Sequence, residues 1–251
     1  WRLWMYPTFY VTHSIGPILR ITGLRPVAVQ AATGLLGMDK EGTLPAQTPA
    51  MEMVRLENGA LAKSLHGGPY PREPWQPWYS IGGSKGCIES SRWPDPNEVT
   101  VLIDAEQQIR RYTAEHPRWR EQAARTQHWG SDLFLVYEFA KAIQTGEKPD
   151  IDVYMGLDMT LVGNRAWRSV LQGGGWLDIP DLRDEAIRKE WENDHYSCRP
   201  GTPEPYLLPN HATSGQTVLP GEETLRQIRR RQEAEPYHGT MYKDWGPPDH
   251  P

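Results

Sequence analysis

Tyr10 and His13, three residues apart in "YVTHSIGP", are the pair in this 251-residue chain whose types and spacing best suit chemistry. Three residues apart on a helix means one shared face. An imidazole titrates near neutrality and a phenol donates a hydrogen bond to an oxygen, so together they are equipped to move a proton at a hydroxyl. The same residues also read as a plain helix start, with His13 satisfied by backbone or by Tyr10, and the local pattern alone favours that plainer reading. Tyr6 stands just ahead of them.

A second candidate lies in "HWGSD", ahead of an apolar helical run. There His128 can bind substrate hydroxyls with Asp132 as its partner, or Asp132 can be a helix cap with no further role. Trp75 and Trp78, in "EPWQPWY", offer faces for stacking on a sugar, or pack as a turn against a sheet. No HExxH or comparable ligand spacing occurs, so no metal site is expected. Cys87 and Cys198 form no CxxC and read as inert, buried small residues.

Composition narrows the partners. Asp and Glu (32) outnumber Lys and Arg (27), giving a formal charge of -5, so a phosphate-tracking surface for nucleic acid is not indicated. The run Arg226–Arg231 reads as the solvated face of a helix. No apolar stretch approaches the roughly 18 residues of a membrane span. A soluble protein is expected, either cytoplasmic or exported folded; the sequence does not choose the compartment. The chain opens at Trp1 without an initiator methionine or a secretory signal pattern, and reads as a fragment or processed product. Trp and Tyr number 11 each against 3 Phe, an amphipathic aromatic bias that suits a pocket for a hydroxyl-rich ligand and equally suits a sheet-rich core.

The elements that must position these residues follow from periodicity. Residues 8–22 have helical spacing and stop at Gly23. Alternation then predicts strands at 26–33, 51–56, 60–66, 79–82, 86–90 and 99–105, with a hairpin turn at Glu57-Asn58-Gly59. Helices are expected at 132–145, 152–172 and 181–193, and a charged one near 222–235. The class is α+β: an open, mainly antiparallel β-sheet of about six strands with helices 8–22, 132–145 and 152–172 packed on one face. Residues 1–196 form the domain, and 197–251, rich in Pro and Gly, a C-terminal extension.

The ordered series "YVTHSIGP", "YSIGGSKGCIES", "HWGSDLFLVYEFAKAIQTGEKPDIDVY" and "GGGWLDIPDLRD" resembles the C-terminal domain of the Gfo/Idh/MocA family of NAD(P)-dependent oxidoreductases, nearest the branch of NAD-dependent glycoside hydrolases. The resemblance covers roughly residues 1–195. It implies a substrate-binding and oligomerisation domain that follows a Rossmann domain, with one sheet face forming the subunit interface. No G-x-G-x-x-G occurs in this chain, and "GEKP" at 146–149 is a helix-end turn in the wrong place to be the family's Glu-Lys-Pro motif with its catalytic lysine, so NAD(P) is expected in the intact protein and not on this chain alone.

In many dehydrogenases of that family an aspartate lies four residues before the helix histidine; here Phe9 stands there, and Tyr10-x-x-His13 matches the glycosidase-like branch instead. The resemblance tips His13 and Tyr10 toward a catalytic role, with Tyr6, His128, Asp132 and Trp78 binding a carbohydrate or glycoside. Tyr154 either approaches the cofactor edge or belongs to a helix core. Net hydride transfer, redox-neutral glycoside cleavage and a non-catalytic binding or assembly protein on the same sheet all stay open, and a homo-oligomer is expected.

Overall fold

The computed structural model describes residues 4–34, 48–66, 78–91, 98–106, 108–113, 118–126, 128–211, 215, 217, 219 and 221–234. The chain divides into two compact units, Trp1–Tyr112 with Val153–Gly221, and Thr113–Asp152 with Glu222–Pro251. Trp75 lies outside the described residues.

The strands are β1 (Pro26–Thr33), β2 (Ala50–Leu56), β3 (Leu61–His66), β4 (Ser80–Gly83), β5 (Gly86–Ser90), β6 (Glu98–Ile103), β7 (Gln108–Thr113) and β8 (Leu177–Asp178). They form two sheets, in the orders β3-β2-β1-β8 and β4-β5-β6-β7. Every pairing with a described register between these strands is antiparallel. The α+β class and the antiparallel sheet therefore stand, while the expected single sheet of about six strands is two sheets of four. The difference has a physical basis in burial. Along β2 alternate residues are buried and exposed without interruption, whereas β4 to β7 bury no residue fully and have no face with which to continue the first layer. β7 is exposed throughout and carries no alternation, which is why the sequence reading passes over it.

Two helices cover the buried face of the first sheet: α1 (Val11–Thr22) and, further along the chain, the 19-residue helix Val153–Leu171. Val11, Ile15 and Leu19 of α1 recur at helical spacing and meet Val29, Val54 and Ala62 of the sheet in one apolar cluster with Met159, Val162 and Ala166. The α1 helix stops at Gly23, whose φ of 69° is a left-handed cap and whose N–H bonds to the Leu19 carbonyl. The segment "GGGWLDIPDLRD" then returns the chain to the sheet. Ser169 Oγ donates to the Gly175 carbonyl at 2.6 Å, and Leu177 and Asp178 pair with Val29 and Ala28.

The other helices are α2 (Arg120–Ala123), α3 (Ser131–Thr145), α4 (the helix Val153–Leu171), α5 (Glu185–Trp191) and α6 (Glu222–Ala234). The expected helix at 132–145 forms as α3 but belongs to the second unit. The helix expected at 181–193 begins only at Glu185, because the Asp184 carboxylate accepts from Ala186 N at 2.7 Å and caps it there. In α6, Arg226, Arg229 and Arg230 are exposed. Among the described residues no helix is long and apolar enough to cross a membrane.

Candidate functional site

The expected helix over 8–22 is two pieces. Pro7–Tyr10 is a 3-10 turn, and α1 begins at Val11 with Tyr10 as its N-cap. Tightening the chain there places aromatic rings in file. Tyr6 stacks on Trp167 with centroids 5.7 Å apart, Phe9 meets Tyr6 and Tyr10 edge to face at 5.9 and 5.6 Å, and Tyr10 stacks on His13 at 5.5 Å and 21°. Phe9, at the position where the resemblance leads one to look for an aspartate, is thus a packing link between two tyrosines. His13 is exposed at the end of the file.

The file is held against α4 by close backbone approach. A Cβ on Gly163 would lie 2.7 Å from the Thr8 carbonyl oxygen, and one on Gly16 would lie 2.8 Å from Met159 Sδ. Gly163 is required by that backbone contact, whereas at Gly16 the Met159 side chain would have to shift. Thr8, fully buried, donates its hydroxyl to the Gly163 carbonyl at 2.8 Å. The "HSIGP" stretch therefore fixes the distance between α1 and α4 as well as carrying the histidine.

Pro17 adds a second constraint. A helical proline has no N–H, so the carbonyl four residues earlier loses its helix partner. That carbonyl is His13 O, and the Tyr79 hydroxyl donates to it at 2.5 Å. Tyr79 is half-buried and burial raises its phenol pKa, which keeps it protonated as a donor. Sequence reasoning assigns Tyr79 only to a strand; the signal that could have found it is Pro17, four residues after His13. Trp78 beside it is exposed.

The remaining candidates are distributed. His128 and Asp132 are in the second unit, both exposed, with His128 Nδ1 2.8 Å from Asp132 Oδ1. Asp132 is the partner of His128 and not the cap of α3, whose N-cap is Gly130 in the left-handed region. Tyr154, in the first turn of α4, has Arg183 over its ring at 5.4 Å and accepts from Arg188 Nη1 at 3.5 Å. Arg183 also bonds Asp158 at 2.8 Å and Asp181 at 3.2 Å, so Tyr154 sits in an ion-pair cluster. Tyr6 turns away from His13: its hydroxyl donates to Asn164 Oδ1 and burial pushes its phenol pKa up. Cys198 is buried, with its thiol pushed up to about 12 by that burial. Cys87, against expectation, is exposed on β5, because the second sheet buries no face that would take it.

The chain as a whole has known relatives. Residues 51–191 match the model of the glycosyl hydrolase 109 C-terminal domain, more than half of the chain. The chain belongs to that family. A glycosyl hydrolase family 109 protein of Saccharopolyspora erythraea is 23% identical over 217 residues, 78% of this chain and 46% of that protein. An α-N-acetylgalactosaminidase of Tannerella forsythia is 24% identical over 212 residues, 72% of this chain and 43% of that protein. The chain thus spans about half the length of the curated relatives it matches.

Among solved structures, levoglucosan dehydrogenase with NADH and levoglucosan superposes with a TM-score of 0.59 at 18% identity, over 72% of this chain and 54% of that one. An oxidoreductase from Agrobacterium radiobacter in complex with NAD+, L-tartaric acid and magnesium gives 0.55 at 18% identity, over 70% and 51%. This chain therefore shares its fold with about half of each of these two proteins.

A dinucleotide needs a strand, a glycine loop and a helix N-terminus to cradle its pyrophosphate. No pair of described strands with a described register is parallel, and the sequence carries no G-x-G-x-x-G. The described residues do not by themselves fit NAD(P).

Proposed function

We propose that this chain is the substrate-binding domain of an NAD(P)-dependent enzyme acting on a glycoside, with the dinucleotide held by residues outside those described. One observation carries the reading: the half-buried Tyr10 and the exposed His13 lie ring against ring at the start of α1, with the His13 carbonyl tied by Tyr79. His13 takes and returns a proton at a sugar hydroxyl, and the Tyr10 hydroxyl donates to a neighbouring sugar oxygen. Trp78, beside Tyr79, offers an exposed face for the ring of the substrate. Within the second unit, His128 and Asp132 are by themselves a candidate pair for binding substrate hydroxyls. The glycosyl hydrolase 109 match and the relative named as an α-N-acetylgalactosaminidase favour redox-neutral cleavage over net sugar oxidation.

The test is His13→Ala in the complete protein, assayed on aryl glycosides with NAD+ supplied. The expected loss in kcat is about 10²–10⁴-fold, with the melting temperature nearly unchanged. Tyr10→Phe, which keeps the ring, is expected to be milder. Near-normal turnover in His13→Ala with a lower Tm makes the histidine structural. A wild type that neither cleaves nor oxidises any glycoside favours the binding or assembly reading.

The same proposal makes residues 1–196 the assembly domain and 197–251 an extension. The face of the first sheet away from α1 exposes Met51, Met53, Leu61 and Leu65. Met51 lies opposite Leu65, while Met53 and Leu61 lie opposite Lys63 and Arg55, an exposed face of apolar and cationic side chains that suits a second copy of the chain. Light scattering is expected to give a homo-oligomer, and Leu65→Lys to shift it toward monomer; a wild-type monomer at micromolar concentration ends this part of the reading.

A further inference from the structure

Behind the aromatic file, a cleft of about 220 Å³ opens between α4 and the chain from α5 onward. One wall is a helical stripe, Leu161, Asn164, Arg165 and Arg168, spaced so that four side chains share a face. The other wall carries Trp191, Asp194 and Tyr196. None of these residues is among those placed at the Tyr10–His13 site.

The polar groups of this cleft can be accounted for one by one. Arg168 Nη2 donates to Asp194 Oδ1 at 2.6 Å, and the same oxygen accepts from the Tyr196 N–H at 3.3 Å, so the Asp194 charge is paired with Arg168 through one of its two oxygens. Arg165 spends only its Nε, which donates to the Asp178 carbonyl at 2.8 Å. Its two terminal nitrogens have no carboxylate or carbonyl partner among the described residues. The Tyr6 hydroxyl donates to Asn164 Oδ1, which leaves the amide nitrogen of Asn164 as a donor with no partner there. Beside that one ion pair, the cleft keeps the terminal nitrogens of Arg165 and the Asn164 amide as donors without a partner among the described residues.

Arg165 is also held in place. Its guanidinium lies over the Trp191 ring at 4.9 Å, and Arg168 lies over Trp191 and Tyr196 at 5.9 and 5.2 Å. Stacking and the Nε bond together fix the plane of the fork, so little side-chain entropy remains to be lost on pairing. Burial first, and the Arg168 charge next, lower the Arg165 pKa, with the charges of Asp194 and Asp178 acting the other way.

We propose that this cleft binds the oxyanion of a small acidic solute, a carboxylate or a phosphate on a short carbon skeleton, through the terminal nitrogens of Arg165 and the amide of Asn164. A guanidinium fork matches two oxygens of either group bidentately. The volume corresponds to about seven waters at roughly 30 Å³ each, enough for such an anion and a few attached atoms. Nothing in the argument uses the glycoside reading, and the site is distinct from His13.

Calorimetric titration of the 251-residue chain with glucuronate, glucose 6-phosphate and neutral glucose tests it. Binding of at least one acid, weakened by salt, with no heat from glucose is expected, and the stronger acid tells carboxylate from phosphate. Arg165→Gln is expected to weaken that binding about 10- to 100-fold, the range for a hydrogen bond to a charged group. Arg165→Lys, which keeps the charge and loses the fork, is expected to retain part of it, so a folded Lys variant decides the matter if the Gln variant unfolds. Equal acid binding in wild type and both variants overturns the proposal. So does the absence of any acid binding at roughly 10 mM, weaker than such a pair should give.

Discussion

The ring file from Trp167 to His13 has a buried end and an exposed end, and the two are built by opposite means. At the buried end Trp167 is 1% exposed, stacks on Tyr6 and donates its indole N–H to the Pro209 carbonyl at 2.8 Å. At the other end His13 is exposed, and what holds it is its backbone: a proline frees its carbonyl and Tyr79 takes the bond. Packing therefore stiffens one end, while a main-chain hydrogen bond helps to fix the other, whose side chain is exposed. A site residue can be placed accurately without being buried when the element carrying it is pinned through its main chain.

The comparison predicts that stability and turnover separate along the file. Trp167→Ala is expected to cost about 3–5 kcal/mol by emptying a filled site, read as a drop in denaturant midpoint, whereas His13→Ala is expected to cost under about 0.5 kcal/mol. Comparable losses at both ends would mean that the file is one structural unit.

Next in size is the Arg168–Asp194 latch near the buried end. Asp194→Asn is expected to lose about 1.5–3 kcal/mol at neutral pH, since a charge-assisted hydrogen bond goes. Burial raises the Asp194 carboxyl, but its bond to Arg168 and the charge of Arg168 outweigh that and hold it below the ordinary aspartate range. A depressed folded pKa contributes stability that is present above the unfolded value, near 3.9, and is lost as pH falls through the folded one. Thermal melts of wild type from about pH 5 downward should show that loss, and Asp194→Asn should lack that component.

The smallest effect sharpens the comparison most. Tyr79→Phe removes a single hydroxyl, at about 1 kcal/mol, and leaves the His13 side chain untouched. In the complete protein kcat should fall about tenfold or less, with KM little changed. No change in kcat would mean that the carbonyl bond does not position the imidazole.

Much of this was legible in the sequence. The alternation of Ala50 to Leu56 called for a strand with one buried face, and it carries Glu52 inward with its apolar neighbours. Periodicity marked α1, α3 and α4 to within a residue or a few, because their apolar positions recur every three or four residues. The start of α5 was misread by several residues, since nothing local told which of Asp181 and Asp184 would cap it. The Tyr10–His13 adjacency also followed from spacing alone, three residues being one helical step from face to face.

Other features belong to tertiary structure. That the strands part into two sheets depends on which of them find a helix to cover, and pairing partners far apart in sequence carry no local mark. Tyr79 meets His13 across 66 residues, and Asn164 meets Tyr6 across 158. The donors left open in the arginine cleft emerge only once Asp194, Asp178 and Tyr6 have taken their partners. Sequence determined which residues could share a helix face or alternate along a strand, because those relations repeat within one turn or one pleat. Only the folded chain decided which polar groups were used up and which were left for a ligand, because that depends on every neighbour at once.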